Sequence, residues 1–132
     1  MLTWYDTIGR NYPSLRVPDV RIGGAIAQAL GDAENLVNVG AGTGAYEPPS
    51  MSVVAVEPSA SMLAPYSGLG PHVQGAAEAL PIADQSVGAR LAVLTLHHWR
   101  DWRAGLRELD RVCRDRVVLF THEPDLADFW LL

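Results

Sequence analysis

The stretch at residues 36–59, LVNVGAGTGAYEPPSMSVVAVEPS, constrains the fold more than any other part of the chain. Leu36, Val37 and Val39 form an apolar run, and Gly40, Gly42 and Gly44 follow it at once. A second run, Val53, Val54, Ala55 and Val56, closes on Glu57. The pattern is a buried strand, a glycine-rich turn, a short crossing segment and a second buried strand ending in an acid. Three glycines let the backbone take positive φ and approach a ligand closely. A carboxylate at the tip of the second strand is placed to accept hydrogen bonds from a ribose diol. Together they predict an adenosine-containing cofactor across the carboxyl ends of two adjacent parallel strands.

Spacing separates two cofactor classes. The dinucleotide fingerprint, GxGxxG or GxGxxA, opens a full helix whose N-terminus holds a pyrophosphate. Gly40, Gly42 and Ala45 satisfy the weaker form, but the glycines also read GxGxG at 40, 42 and 44. The chain then runs into Pro48 and Pro49, which leaves little room for a helix. A cofactor without phosphate needs no helix dipole, so the stretch favours S-adenosylmethionine over NAD. The competing reading is a structural turn in a nucleotide-free α/β protein, which leaves Glu57 unexplained.

The remaining segments supply the rest of an α/β domain. After Pro18, Val20, Ile22, Ile26, Ala29 and Leu30 share a helical face that Gly31 ends. Gly23 and Gly24 weaken that helix, and close packing on the sheet is one reason to tolerate them. Strands are expected at 36–40, 53–57, 72–75, 91–96 and 117–121. Ser59 is a candidate N-cap for a short helix carrying Met62 and Leu63, and Asp101 for a longer one. On the longer helix Trp102, Leu106, Leu109, Val112 and Cys113 form the apolar face, and its charges read as a solvated face. Continuous apolar strands alternating with helices indicate a parallel sheet covered on both sides. Right-handed crossovers and a topological switch point give the strand order 3-2-1-4-5.

At 132 residues the chain is one domain at most. A net charge of −5 argues against nucleic acid as the main ligand. The single cysteine, Cys113, excludes an internal disulfide and suits a reducing, cytoplasmic setting. No apolar run reaches the length of a membrane span, and no signal-peptide pattern opens the chain.

The ordered motifs resemble the class I S-adenosylmethionine-dependent methyltransferases, in particular the methyltransferase type 11 group. VNVGAGTG is similar to the first motif of that family, and VVAVEPSASML to the second, whose acid binds the ribose hydroxyls. GAAEALPIADQSV resembles the adenine segment, and LAVLTLHHW with LRELDRVCRDRVVLF resembles strand four, its helix and strand five. YDTIGRNYPSLR resembles the N-terminal lid, so residues 1–18 are expected to be a lid segment.

The resemblance implies a Rossmann-like fold and transfer of a methyl group to a small-molecule acceptor, with S-adenosylhomocysteine as product. Gly40, Ala41, Gly42, Thr43 and Gly44 would line the methionine part of the cofactor. Glu57 would bind the ribose, and Pro58, Ser59 and Met62 would border the adenine. Ala76, Ala77 and Glu78 would meet the adenine edge, and Leu94 and Thr95 the sulfonium end. Tyr5, Tyr12 and Arg16 are candidates for closing over the site.

Three departures stand out. Ala76 replaces an Asp common before the Ala-Glu pair, and Val87-Gly88 replaces a Phe-Asp before strand four. The sequence also stops at FWLL, where family members continue through another helix and an antiparallel strand pair. An uncovered strand-five edge with an apolar tail at 129–132 is expected to promote self-association. It also leaves open a cofactor-binding fragment without turnover. A nicotinamide-binding oxidoreductase domain is the third reading.

Methyl transfer asks the protein mainly to bind, orient and exclude water, with a base only where the nucleophile must lose a proton. His97 and His98 end strand four, and alternation along a strand lets one face the crevice; His97 is the candidate base. Packing is the competing role for both. A His97–His98–His122 metal site lacks a recurring ligand spacing. Cys113 reads as core, and Trp99, Trp102 and Trp130 as packing residues.

Overall fold

The computed structural model describes residues 18–68 and 70–121. Tyr5, Tyr12, Arg16, His122, Trp130 and the 129–132 tail lie outside the described residues. In chain order the elements are α1 (Val20–Leu30), β1 (Asn35–Val39), β2 (Ser52–Glu57), α2 (Ala60–Leu63), β3 (His72–Gln74) and β4 (Val87–Val93). A 3-10 turn (Leu96–His98), α3 (Trp102–Val112) and β5 (Cys113–Phe120) complete them. All five strands pair in parallel, in the order β3-β2-β1-β4-β5. This is the Rossmann-like arrangement expected from the alternating pattern. Among the described residues no helix is long and apolar enough to cross a membrane.

Strand alternation sorts β1 between two cores. Leu36 joins Ile26, Leu30, Met51, Val53, Ala89 and Leu91 on the α1 side. Val37 and Val39 join Val56, Leu80, Leu109 and Val112 on the α3 side. With both faces of β1 covered, its carboxyl end is the one place where the strand can meet a ligand.

Two helical faces are narrower than the sequence suggests. On α1, Ile22, Ile26 and Leu30 follow at four-residue steps, one above another. Val20, 86% exposed, and Ala29, also exposed, fall off that line. Asp19 caps α1 by accepting from the Arg21 N–H at 2.8 Å, and the Arg21 guanidinium holds its carboxyl down to about 2. On α3 the buried residues are Gly105, Leu109 and Val112. Trp102 is half exposed, with the Arg103 guanidinium 4.2 Å from its ring centre. The helix stops at Val112, so Cys113 is the first residue of β5 rather than the end of a helical face. It is buried there, in the core on the α3 side.

Strands β4 and β5 also begin earlier than their apolar runs. β4 starts at Val87, which pairs with Cys113 of β5, and pairing with β1 follows at Ala89 and Arg90. Asn35 helps by accepting the Gly88 N–H on its side-chain oxygen at 2.6 Å. β5 starts at Cys113, so the polar residues 114–116 lie inside the strand. Arg116 sits there because its guanidinium donates to the Leu30 carbonyl at the end of α1, at 2.6 Å. At this side of the described sheet Val117 and Leu119 are exposed.

Two charges of α3 are structural rather than solvated. Arg111 donates to Glu108 at 2.8 Å, to Asp84 at 2.6 Å and to the Ile82 and Leu80 carbonyls at 2.8 and 3.0 Å. Glu108 in turn accepts the Leu80 N–H at 2.8 Å. Both carboxylates push the guanidinium pKa up, and Arg111 pulls the Glu108 carboxyl down. The clamp pins residues 80–84 to α3, and so anchors the loop that follows the 76–78 turn.

Candidate functional site

β1 and β2 hand the site its first wall. The Val56 carbonyl accepts from both the Gly40 and Ala41 N–H groups, at 2.8 and 3.1 Å, which folds the turn back over the end of β2. Gly40, Gly42 and Gly44 have φ of +69°, +58° and +81°, so the turn is built on left-handed backbone that favours glycine. At Gly40 the space is closed as well, since a Cβ there would collide with the Thr95 side chain. The end of β1 and the segment after β4 therefore interlock at that point.

Glu57, at the tip of β2, is 7% exposed and lines the cleft. Its Oε1 accepts from the Gly42 N–H at 3.0 Å and its Oε2 from the Ser59 N–H at 2.9 Å. Backbone donors on both oxygens fix the plane of the carboxylate at the mouth of the glycine turn. Ser59 caps α2 by accepting the Met62 N–H, which brings the Met62 side chain under Gly42.

β4 supplies the opposite wall. The chain leaves the strand at Leu94, whose φ of +51° is strained for a non-glycine residue. Its N–H is still held by the Phe120 carbonyl at 2.7 Å. The 3-10 turn follows, and Trp99 folds back to donate through Nε1 to Thr95 Oγ1 at 3.3 Å. The Trp99 ring is wedged against Gly105 of α3, where a Cβ would collide with it. His97 and His98 sit in this turn rather than on a strand, with ring centres 3.9 Å apart. His98 lines the cleft and His97, the candidate base, does not.

A carboxyl lies behind the first wall. Glu47 accepts from Asn38 Nδ2 at 2.8 Å and from the Tyr66 hydroxyl. Burial pushes the Glu47 pKa up, with Tyr66, Asn38 and the nearby charge of His72 opposing the shift. The Tyr66 hydroxyl is pushed up in turn, by its own burial and by the Glu47 carboxylate. Tyr46, next to Glu47 in sequence, lines the cleft and accepts the Asp19 N–H on its hydroxyl at 3.0 Å. It thereby ties the start of α1 to the turn.

With this geometry in view, the comparison with known families is decisive: residues 37–121 match the family described as Methyltransferase domain. The chain belongs to that family. Among solved structures, a candidate methyltransferase of an antibiotic biosynthesis pathway from Anabaena variabilis is 34% identical, with a TM-score of 0.77 over 88% of this chain and 51% of that one. The YcgJ protein of Bacillus subtilis is 26% identical, with a TM-score of 0.72 over 79% and 51% of the two chains. A SAM-dependent methyltransferase from Thermotoga maritima, described as a possible histamine N-methyltransferase, shares the fold at 23% identity and a TM-score of 0.75, over 87% and 58%. The chain thus spans about half the length of these relatives. No curated protein matches it significantly.

Within this methyltransferase domain, the cleft brings together Gly40, Ala41, Gly42 and Thr43 on the turn and Glu57, Pro58 and Met62 at the end of β2. Leu94 and Thr95 line it from the β4 side. Gly44 and Ser59 act from behind the lining, Gly44 against Tyr66 and Ser59 through Glu57. Ala76, Ala77 and Glu78 do not line it. Ala77 is buried in the core on the α3 side, and Glu78 accepts the Asp101 N–H at 3.0 Å. Their segment nevertheless abuts the site, because the Gly75 N–H donates to the Glu57 carbonyl at 3.1 Å.

Asn38, Tyr46 and Trp99 line the cleft without having been singled out for it, and of the two histidines expected at the crevice it is His98 that lines it. Asn38 carried a signal, being a polar residue between the apolar Val37 and Val39. Tyr46, His98 and Trp99 depend on turns that no periodicity marks. Among the described residues no cluster of His, Cys, Asp or Glu is placed to hold a metal ion.

Proposed function

We propose that this domain binds S-adenosylmethionine in the cleft over β1, β2 and β4 and transfers its methyl group to a small-molecule acceptor, releasing S-adenosylhomocysteine. The observation that carries the reading is Glu57. A buried carboxylate, oriented by the Gly42 and Ser59 N–H groups, stands beside a turn whose glycines leave room for a ligand against the backbone. That arrangement fits a ribose diol, which needs an acceptor held in one place. Residues 40–51 contain no helix, so a dinucleotide pyrophosphate would lack the helix N-terminus that stabilises it. The cleft therefore suits a phosphate-free adenosine cofactor better than NAD.

When bound, the cofactor supplies an electrophilic methyl group on a sulfonium, which moves by in-line displacement. The protein's share is orientation and exclusion of water. Glu57 holds the sugar end, and the backbone at residues 40–43 lines the amino-acid end. Leu94, Thr95 and Trp99 form the wall where an acceptor approaches, with His98 the imidazole on that side. Calorimetric titration with S-adenosylhomocysteine, with NAD and Glu57→Ala alongside, tests the reading. Binding of S-adenosylhomocysteine alone, weakened at least about a hundredfold by the substitution, is expected. Binding of NAD instead, or equal binding by wild type and variant, would overturn it.

A further inference from the structure

Asn38 and Glu47 form a pair that the proposed reaction has not used. Asn38 is 4% exposed and lines the cleft from the end of β1. A carboxylate only accepts hydrogen bonds, so Glu47 takes the amide NH2 of Asn38, at 2.8 Å. That contact fixes which end of the amide is spoken for. The remaining polar atom of Asn38, Oδ1, has no hydrogen-bond partner among the described residues. An amide oxygen without a partner at the wall of a cleft is open to a donor on a bound ligand.

Glu47 has no cationic side chain within ion-pair distance among the described residues. Its other oxygen is taken by the neutral Tyr66 hydroxyl, and the charge of His72 acts on it only from beyond ion-pair distance. Glu47 itself does not line the cleft; its charge reaches the cleft through the Asn38 amide, whose dipole it aligns. In a low-dielectric wall such a field is felt strongly over one residue's length.

We propose that Glu47 is a positioning residue which, by holding the Asn38 amide with Oδ1 on the cleft side, makes this part of the cleft select a cationic group of the ligand. The inference rests on the reading that the ligand is S-adenosylmethionine, which carries two cations, an ammonium on its amino-acid end and a sulfonium. S-adenosylhomocysteine keeps the first and lacks the second.

The experiment measures the affinities of S-adenosylmethionine and S-adenosylhomocysteine for the wild-type chain, Glu47→Gln and Tyr66→Phe, and repeats Glu47→Gln in an Asn38→Leu background. Glu47→Gln keeps the shape and removes the charge. A loss of about tenfold for both ligands supports the ammonium as the selected group, and a loss for S-adenosylmethionine alone supports the sulfonium. Tyr66→Phe breaks the other bond of Glu47 but leaves Asn38 held, so it is expected to change affinity less than about twofold. In the Asn38→Leu background the Glu47→Gln loss is expected to vanish, since the charge acts through that amide. A purely structural Glu47 gives a loss that persists without Asn38, or equals that of Tyr66→Phe, and either result overturns the inference. So does wild-type binding that Glu47→Gln leaves unchanged. Failure of the wild-type chain to bind either ligand overturns the cofactor reading itself, and this inference with it.

Discussion

Two glycine clusters lie less than twenty residues apart in sequence and have opposite physical meanings. Gly40, Gly42 and Gly44 all have positive φ, and Gly40 is pressed against Thr95. Gly23 and Gly24 sit within α1, on helical backbone. A Cβ on Gly24 would meet nothing within 4 Å, and one on Gly23 would find only Tyr46, at an ordinary 3.7 Å. Close packing against the sheet therefore does not explain the helical pair, and nothing else in the structure does. The turn glycines are required by the backbone and its neighbours; the helical ones are tolerated. A glycine read from sequence becomes a site residue only once its φ and its Cβ direction are known.

The largest expected effect tests the required end of that comparison. Gly40→Ala places a side chain at φ +69° and into Thr95. The backbone conformation and the overpacking together are expected to cost about 2–5 kcal/mol, read from urea unfolding. A loss under about 1 kcal/mol would show that the turn relaxes easily and would erase the distinction. At the tolerated end, Gly24→Ala is expected to raise stability by about 1 kcal/mol, because alanine orders an exposed helix at lower entropic cost. Thermal unfolding reads this as an upward shift of Tm, and a downward shift would mean that the helix needs its glycine after all.

The smallest effect concerns the carboxyl beside Gly44. The Glu47 pKa is raised by burial, against the pull of Tyr66, Asn38 and His72. A carboxyl whose folded pKa lies above its unfolded value destabilises the fold once it ionises. The penalty is absent below the unfolded pKa and fully present above the folded one. Glu47→Gln is therefore expected to unfold at a slightly higher temperature than wild type at neutral pH. The gain is expected to shrink as pH falls through the Glu47 titration and to disappear in acid. A difference that stays constant with pH would mean that the ionised form is not the one being penalised.

Much of this architecture is written in local sequence. The strand order follows from the alternation of apolar runs and helices. The N-caps Ser59 and Asp101 stand where their helices begin, each accepting an N–H three residues on. The turn and Glu57 were legible because the residues that make them are neighbours along the chain. The starts of β4 and β5 were not, because Arg90 and Arg116 enter strands through partners far away, at the Leu109 and Leu30 carbonyls. The roles of Glu47 and Arg111 were hidden for a similar reason: each has a partner far along the chain, Tyr66 at 19 residues and Asp84 at 27. His98 rather than His97 lines the cleft because a positive φ at Leu94 ends the strand and starts a turn, which strand alternation does not foresee.

The most direct test of the account is an amide chemical-shift titration of the 15N-labelled chain with S-adenosylhomocysteine. The account predicts saturable shifts concentrated at residues 40–44, at Glu57 and Ser59, and at Leu94 and Thr95, with the exposed Val117 and Leu119 unmoved. Saturable shifts centred elsewhere on the sheet, with the glycine turn silent, would contradict it.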